Sequence, residues 1–165
     1  MVRRLALALA LCALVLAGCA TGGITPEVQR AFEGPSSEDI FRARFVRGYA
    51  RVPTFDESNR FRDELEERIR EHVKRHPELL TSPKLSQLRF HQRVVVGMPR
   101  EEIILLLGQP DALTSDATIM EAAAKTFWPV MKSRAKEMWA YPTGWMLYFD
   151  GDLLTDITVT GQPPL

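Results

Sequence analysis

Cysteine is almost absent from this chain. Of 165 residues only Cys12 and Cys19 carry a thiol, and both fall in the first nineteen, so a disulfide scaffold and a thiolate metal site are excluded for everything downstream. Histidine is nearly as scarce: His72, His76 and His91 are the only imidazoles. His72 and His76 stand four apart, which is metal-ligand spacing on a helix, but no cysteine or glutamate-rich segment completes a site, so no metal ligand is expected and the pair reads as ordinary helix histidines. Net charge is also missing, with 21 basic against 21 acidic side chains, and a nucleic-acid partner would need a concentrated basic face. Neither a Gly-x-Ser-x-Gly elbow nor a glycine-rich phosphate loop after a strand is present. Asp150, Asp152 and Asp156 are accounted for by a turn and a wet strand face. No catalytic residue and no cofactor are expected, and the chain does not read as an enzyme.

The most informative segment is the first. Arg3 and Arg4, the apolar run of 13 residues from Leu5 to Ala17 and the sequence Leu16-Ala17-Gly18-Cys19 follow the order of a secretory signal with a small-residue cleavage site. Thirteen residues are too few to span a bilayer, which takes roughly 20. A cysteine directly after the small residues resembles a bacterial lipoprotein signal. The resemblance implies that residues 1–18 are removed, that the Cys19 thiol takes a diacylglycerol and that its freed amine is acylated, commonly with palmitate. Two or three chains, at about 0.8 kcal/mol per buried methylene, anchor far more firmly than one. Ala20 is not the aspartate associated with inner-membrane retention. The expected location is therefore the periplasmic face of the outer membrane.

Removing residues 1–18 leaves 147, with 19 basic and 21 acidic side chains and a formal charge of −2. Residues 19–37 are rich in glycine, proline and serine and read as a lipidated flexible tether. Residues 38–77 read as a helical extension. Ser36 with Asp39 three residues on forms a helix start and Gly48 a stop, while Phe41, Phe45 and Tyr49 recur among Arg42, Arg44, Arg47 and Arg51. Such a basic amphipathic helix can dock on the body below it or lie on anionic lipid. From Asp56 to His76 the stripe Phe61, Leu65, Ile69, Val73 predicts a second helix. Acid-first pairs such as Glu66 with Arg70 surround it, and Pro77 ends it.

Ser82-Pro83 starts a further helix running to about Arg93. Gly97-Met98-Pro99-Arg100-Glu101-Glu102-Ile103 then opens a helix of about nine residues that Leu107-Gly108-Gln109-Pro110 closes, and Ile103, Leu106 and Leu107 must be buried because so short a helix is marginal alone. Three strands follow: Lys136 to Tyr141, Trp145 to Asp150, and Asp152 to Thr160, the last two joined at Asp150-Gly151. Alternation in the last strand gives a dry face of Leu153, Thr155, Ile157 and Val159 and a mostly wet one of Leu154, Asp156, Thr158 and Thr160. Trp139 and Trp145 fill the core. Met138, Met146 and Tyr148 fall on the opposite pleat face and are the candidate partner-binding patch, unless the helix-like stretch 112–134 covers them.

The Gly97 to Ile103 turn and helix, the Leu107 to Pro110 stop, Trp139 with Tyr141, and the Leu147-Tyr148-Phe149-Asp150-Gly151 hairpin resemble the SmpA/OmlA family of small outer-membrane lipoproteins, which look like BamE. The resemblance covers residues 82–160 and implies an α+β fold in two layers, helices packed on a three-stranded antiparallel sheet. The same arrangement is similar to that of β-lactamase inhibitor proteins. The chain departs from the family in a helical insert at 112–134, kinked at Pro129, and in residues 36–76. What the resemblance implies is a protein-binding accessory or scaffold in the cell envelope, held to the membrane by its lipid, with envelope proteins such as the β-barrel assembly machinery as partners. The alternative is a free-standing envelope lipoprotein that binds a small ligand, peptidoglycan or a secreted enzyme.

Overall fold

The computed structural model describes residues 27–161. The signal segment, Cys19 and the start of the tether lie outside the described residues. The described chain is α+β, built on an antiparallel five-stranded sheet. In chain order the elements are β1 (Val28–Ala31), β2 (Glu33–Ser36), α1 (Ser37–Tyr49), α2 (Phe55–Arg75), a 3-10 turn (Pro77–Thr81), a helical turn (Lys84–Ser86) running into a π-type turn (Gln87–His91), β3 (Arg93–Val95), α3 (Arg100–Leu107), β4 (Ala112–Thr114), α4 (Ala117–Ala124), α5 (Trp128–Met131), β5 (Glu137–Tyr141), β6 (Trp145–Asp150) and β7 (Leu153–Thr160). The sheet order is β1-β7-β6-β5-β4, while β2 and β3 form a separate ribbon.

Several expectations are corrected here. The sheet gains a strand on each edge beyond the three anticipated. Ala112–Thr114 pairs with β5, Leu113 opposite Trp139, and Val28–Ala31 pairs with β7, Val28 opposite Thr160. The second half of the expected tether is therefore ordered as β1 and β2. Gly34 makes that route passable: a Cβ there would lie 3.3 Å from the Val94 side chain, so glycine lets the backbone of β2 press onto β3.

The two helices read as an extension share the main core. Ile40 of α1 and Leu65 and Ile69 of α2 are fully buried with Leu106, Trp139, Leu147, Phe149 and Ile157. Each such side chain contributes about 1.5–3 kcal/mol by leaving water. Both helices begin on reciprocal capping boxes, Ser36 with Asp39 and Thr54 with Glu57. The first stops at Ala50, which takes the left-handed conformation at φ 54°, two residues beyond Gly48. Arg44 then ties α1 to the end of α3, its guanidinium donating to the carbonyl of Leu107, which α3 leaves without an intrahelical partner, and to that of Gln109 just beyond the helix. The Tyr141 hydroxyl donates to the Gly108 carbonyl at 2.8 Å on the same stop.

The architecture has three layers rather than two, because residues 112–134 cross to the other sheet face. There Met120, Ala124, Trp128 and Met131 form a second core with Met138 and Tyr148. The insert does not kink at Pro129. It breaks at Lys125–Phe127, and Pro129 sits in the first turn of α5, where its missing amide hydrogen costs nothing.

The expected wet face of β7 is dry as well. Pairing jumps from Phe149 opposite Leu154 to Tyr148 opposite Asp156, leaving Thr155 as the extra residue of a β-bulge. One inserted residue flips the side-chain order. Leu154 therefore joins Ile157 and Val159 in the main core, while Leu153 is exposed. Asp156 and Thr158 are buried on the insert side. Asp156 accepts hydrogen bonds from Arg30 of β1 and Arg134 after α5, so one carboxylate pins the edge strand and the insert to the sheet.

Candidate functional site

Met138, Met146 and Tyr148 are not a free patch. Met138 and Tyr148 are buried, Met146 is half-buried against the same cluster, and the Tyr148 hydroxyl shares a 3.2 Å hydrogen bond with Thr158 Oγ1 inside it. The insert supplies the apolar cover that the sheet face needs. As a partner-binding site these three residues are withdrawn.

Exposed apolar surface concentrates instead at the corner between α1 and α2. Phe41, Phe45 and Tyr49 continue up α1 as a ladder of rings. Phe41 stacks on Phe61 of α2 at 4.2 Å between centroids, and Phe45 lies 4.5 Å from Tyr49. The inner rungs are partly covered, whereas Tyr49 is 67% exposed and is followed by exposed Val52 and by Phe55 at 76%. Arg51 lies 4.9 Å from the centre of the Phe45 ring and donates to both carboxylate oxygens of Glu57, at 2.8 and 2.7 Å. That bond, with the backbone amide of Thr54, pulls the Glu57 carboxyl down to about 2. Arg47 pairs with Asp111 at 2.6 Å, which holds the Asp111 carboxyl below its ordinary range. Rings held by arginines and left open to water have the chemistry of a protein contact surface, where aromatic and arginine side chains carry most of the binding energy. The spacing of Phe41, Phe45 and Tyr49 was visible in the sequence. Its continuation into Val52 and Phe55 follows from the tight turn between the helices.

A second arrangement was missed. The third partner that the histidine pair lacks in sequence is supplied by Glu101 at the start of α3. His72 Nδ1 stands 3.3 Å from Glu101 Oε1, and His76 Nε2 stands 3.7 Å from Glu101 Oε2. The three donor atoms lie within 4.8 Å of one another. His76 Nδ1 meets Glu78 Oε1 at 3.1 Å, and the two imidazole centroids are 4.5 Å apart. They face a cleft of about 400 Å³ also lined by Glu102, Lys84 and Asp152. His72 is only 2% exposed, its Nδ1 has no partner of hydrogen-bond geometry, and burial holds its pKa below the ordinary value against the opposing pull of Glu101. Burial likewise raises the Glu102 carboxyl. Helix periodicity put the imidazoles on one face, but only the packing of α2 on α3 could reveal Glu101.

Among the described residues no helix is long and apolar enough to cross a membrane. Compared with protein-family models, curated proteins and solved structures, the chain finds no significant match.

Proposed function

We propose that this chain is a lipid-anchored envelope lipoprotein, facing the periplasm from the outer membrane, that works by binding protein in or beside the β-barrel assembly machinery. The observation that carries the reading is the run from Arg3 to Cys19, with its charged start, its apolar segment too short to span and its small residues before a cysteine. The motif order from Gly97 to Gly151 supports the family resemblance, and the aromatic corner of α1 and α2 supplies a surface suited to contact.

Geometry supports a body held near the bilayer. Only eight residues separate Cys19 from Val28, where β1 begins, a reach of at most roughly 30 Å at about 3.5 Å per residue step. Val28 enters the sheet opposite Thr160. Thr160 in turn lies against Gly144 in the turn Pro142–Gly144, which α1 also touches. β1 thus enters the sheet at the end that α1 touches, so in this reading that end lies nearest the bilayer. The alternative of a ligand held on an open sheet face loses its support, because both faces are covered by helices.

Affinity capture from outer membranes solubilised in mild detergent tests the partner. Wild-type protein should recover barrel-assembly subunits, and a Tyr49→Ala, Phe55→Ala double variant should recover several-fold less. Recovery of none by the wild type would contradict the assignment. Exchanging residues 1–19 for an ordinary cleavable secretion signal should release the body into the soluble periplasmic fraction, and retention on the membrane in high salt would contradict the anchor.

A further inference from the structure

The cleft between α2, the 3-10 turn Pro77–Thr81 and α3 is absorbed neither by the anchor nor by the contact surface. We propose that His72, His76 and Glu101 form a binding site for a divalent transition-metal ion, with zinc the best match to two imidazoles and one carboxylate. The inference stands apart from the proposed envelope role and survives its failure.

Four observations converge on it. The donor set is a recognised one for zinc, with one imidazole from the last turn of α2, a second from the residue that caps it and a carboxylate from α3. Metal–donor bonds of about 2.0–2.1 Å in a tetrahedron put donors roughly 3.4 Å apart; His72 Nδ1 lies 3.3 Å from Glu101 Oε1 and His76 Nε2 lies 3.7 Å from the other oxygen, Oε2, and one donor atom from each of the three residues lies within 4.8 Å of the others. His72 Nδ1 is a buried polar atom aimed at the carboxylate without a hydrogen bond of proper geometry, an arrangement that costs stability unless something else satisfies it. A metal would. His76 has the second hydrogen bond typical of ligating histidines: with Nδ1–H donating to Glu78 at 3.1 Å, its tautomer leaves the Nε2 lone pair free to bind.

The surroundings favour a cation. Glu78, Glu102 and Asp152 line the cleft, with Lys84 the basic side chain among its lining residues. Arg75 reaches Glu101 at 3.3 Å from outside. Its side chain is 63% exposed, so it can swing into water when a metal takes the carboxylate. Three protein ligands leave a fourth position for water or for a donor from another molecule, so the site can also serve as a metal-bridged contact.

The test uses the protein as purified from cells, in detergent, stripped with a chelator and dialysed against micromolar zinc, with bound metal counted by mass spectrometry and cobalt substitution followed by visible absorption. Wild-type protein should retain one zinc per chain and give the intense visible bands of four-coordinate cobalt. Glu101→Gln and His76→Ala, both changes at accessible side chains, should each weaken binding at least tenfold. Glu78→Gln should weaken it by less than either, about tenfold at most, because it holds the His76 ring without being a ligand. Zinc should raise the melting temperature of the wild type and not of Glu101→Gln. Wild-type protein that retains no more zinc than His76→Ala, or cobalt spectra of six-coordinate type, would overturn the site.

Discussion

Asp156 is 1% exposed and accepts hydrogen bonds from two arginines, Arg30 Nε at 2.9 Å and Arg134 Nε at 2.8 Å, with a second nitrogen of each guanidinium also bound. The two perturbations of this cluster are not equivalent. Asp156→Asn keeps the shape and removes the charge, and the arginine side chains, 31% and 46% exposed, can turn to water. A charge-assisted hydrogen bond is worth about 1.5–3 kcal/mol, and discounting for that exposure leaves an expected loss of about 2 kcal/mol. Removing both arginines instead strands a carboxylate inside the second core with no countercharge, for which the cost is about 3–5 kcal/mol. Either arginine alone leaves Asp156 one partner, so Arg30→Ala and Arg134→Ala should together cost more than the sum of the two single changes. Urea unfolding followed by tryptophan fluorescence reports this directly, because Trp128, Trp139 and Trp145 are all buried. An Asp156→Asn protein within about 0.5 kcal/mol of wild type, which is the range of ordinary surface substitutions, would refute the reasoning. So would strictly additive arginine changes.

Other consequences are equally measurable. Leu65→Ala should lower the stability of the whole body by about 2–5 kcal/mol in a single transition, whereas an independent extension would melt separately and leave the tryptophan signal unmoved. Gly144→Ala places a Cβ 2.5 Å from the Thr160 carbonyl at a residue with φ +80°; a loss of about 2 kcal/mol or more is expected, read as a lower urea midpoint. Burial pushes the Tyr148 phenol up to about 12 from an ordinary 10, so between those values the unfolded chain releases a proton that the folded chain keeps. The stability linked to this group is complete below about pH 10 and is lost as pH rises toward 12. Tyr148→Phe should flatten the fall in urea midpoint across that window, and Tyr141, also raised by burial, should supply the slope that remains. An unchanged slope would argue against the burial of Tyr148.

Local chemistry was readable from the sequence wherever the partners are near neighbours. Ser36 with Asp39 set one helix start, the stripe through Leu65 and Ile69 set a buried face, and the strands around Trp139 and Trp145 fall within a residue or two of their expected limits. Long-range pairing was not readable. The four residues of β1 are ordinary in composition and become a strand only because β7, more than a hundred residues later, offers an open edge. The β2 segment Glu-Gly-Pro-Ser has the composition of a loop and is extended because Gly34 admits Val94. The bulge at Thr155 leaves no signature in a run of alternating residues, yet it turns Leu154 into the main core beside Ile157 and Val159 while Asp156, two residues on, faces the other way. The same limit hid Glu101 from His72: 29 positions separate them, and only the packing of one helix on another brings carboxylate and imidazole to 3.3 Å.

The claim on which the functional account turns is the lipid anchor at Cys19. Mass spectrometry of the amino-terminal peptide of membrane-purified protein tests it most directly. The account predicts a chain that begins at Cys19 and carries a diacylglyceryl thioether with an acylated amine. A chain that begins elsewhere, or at Cys19 with a free thiol, would contradict it.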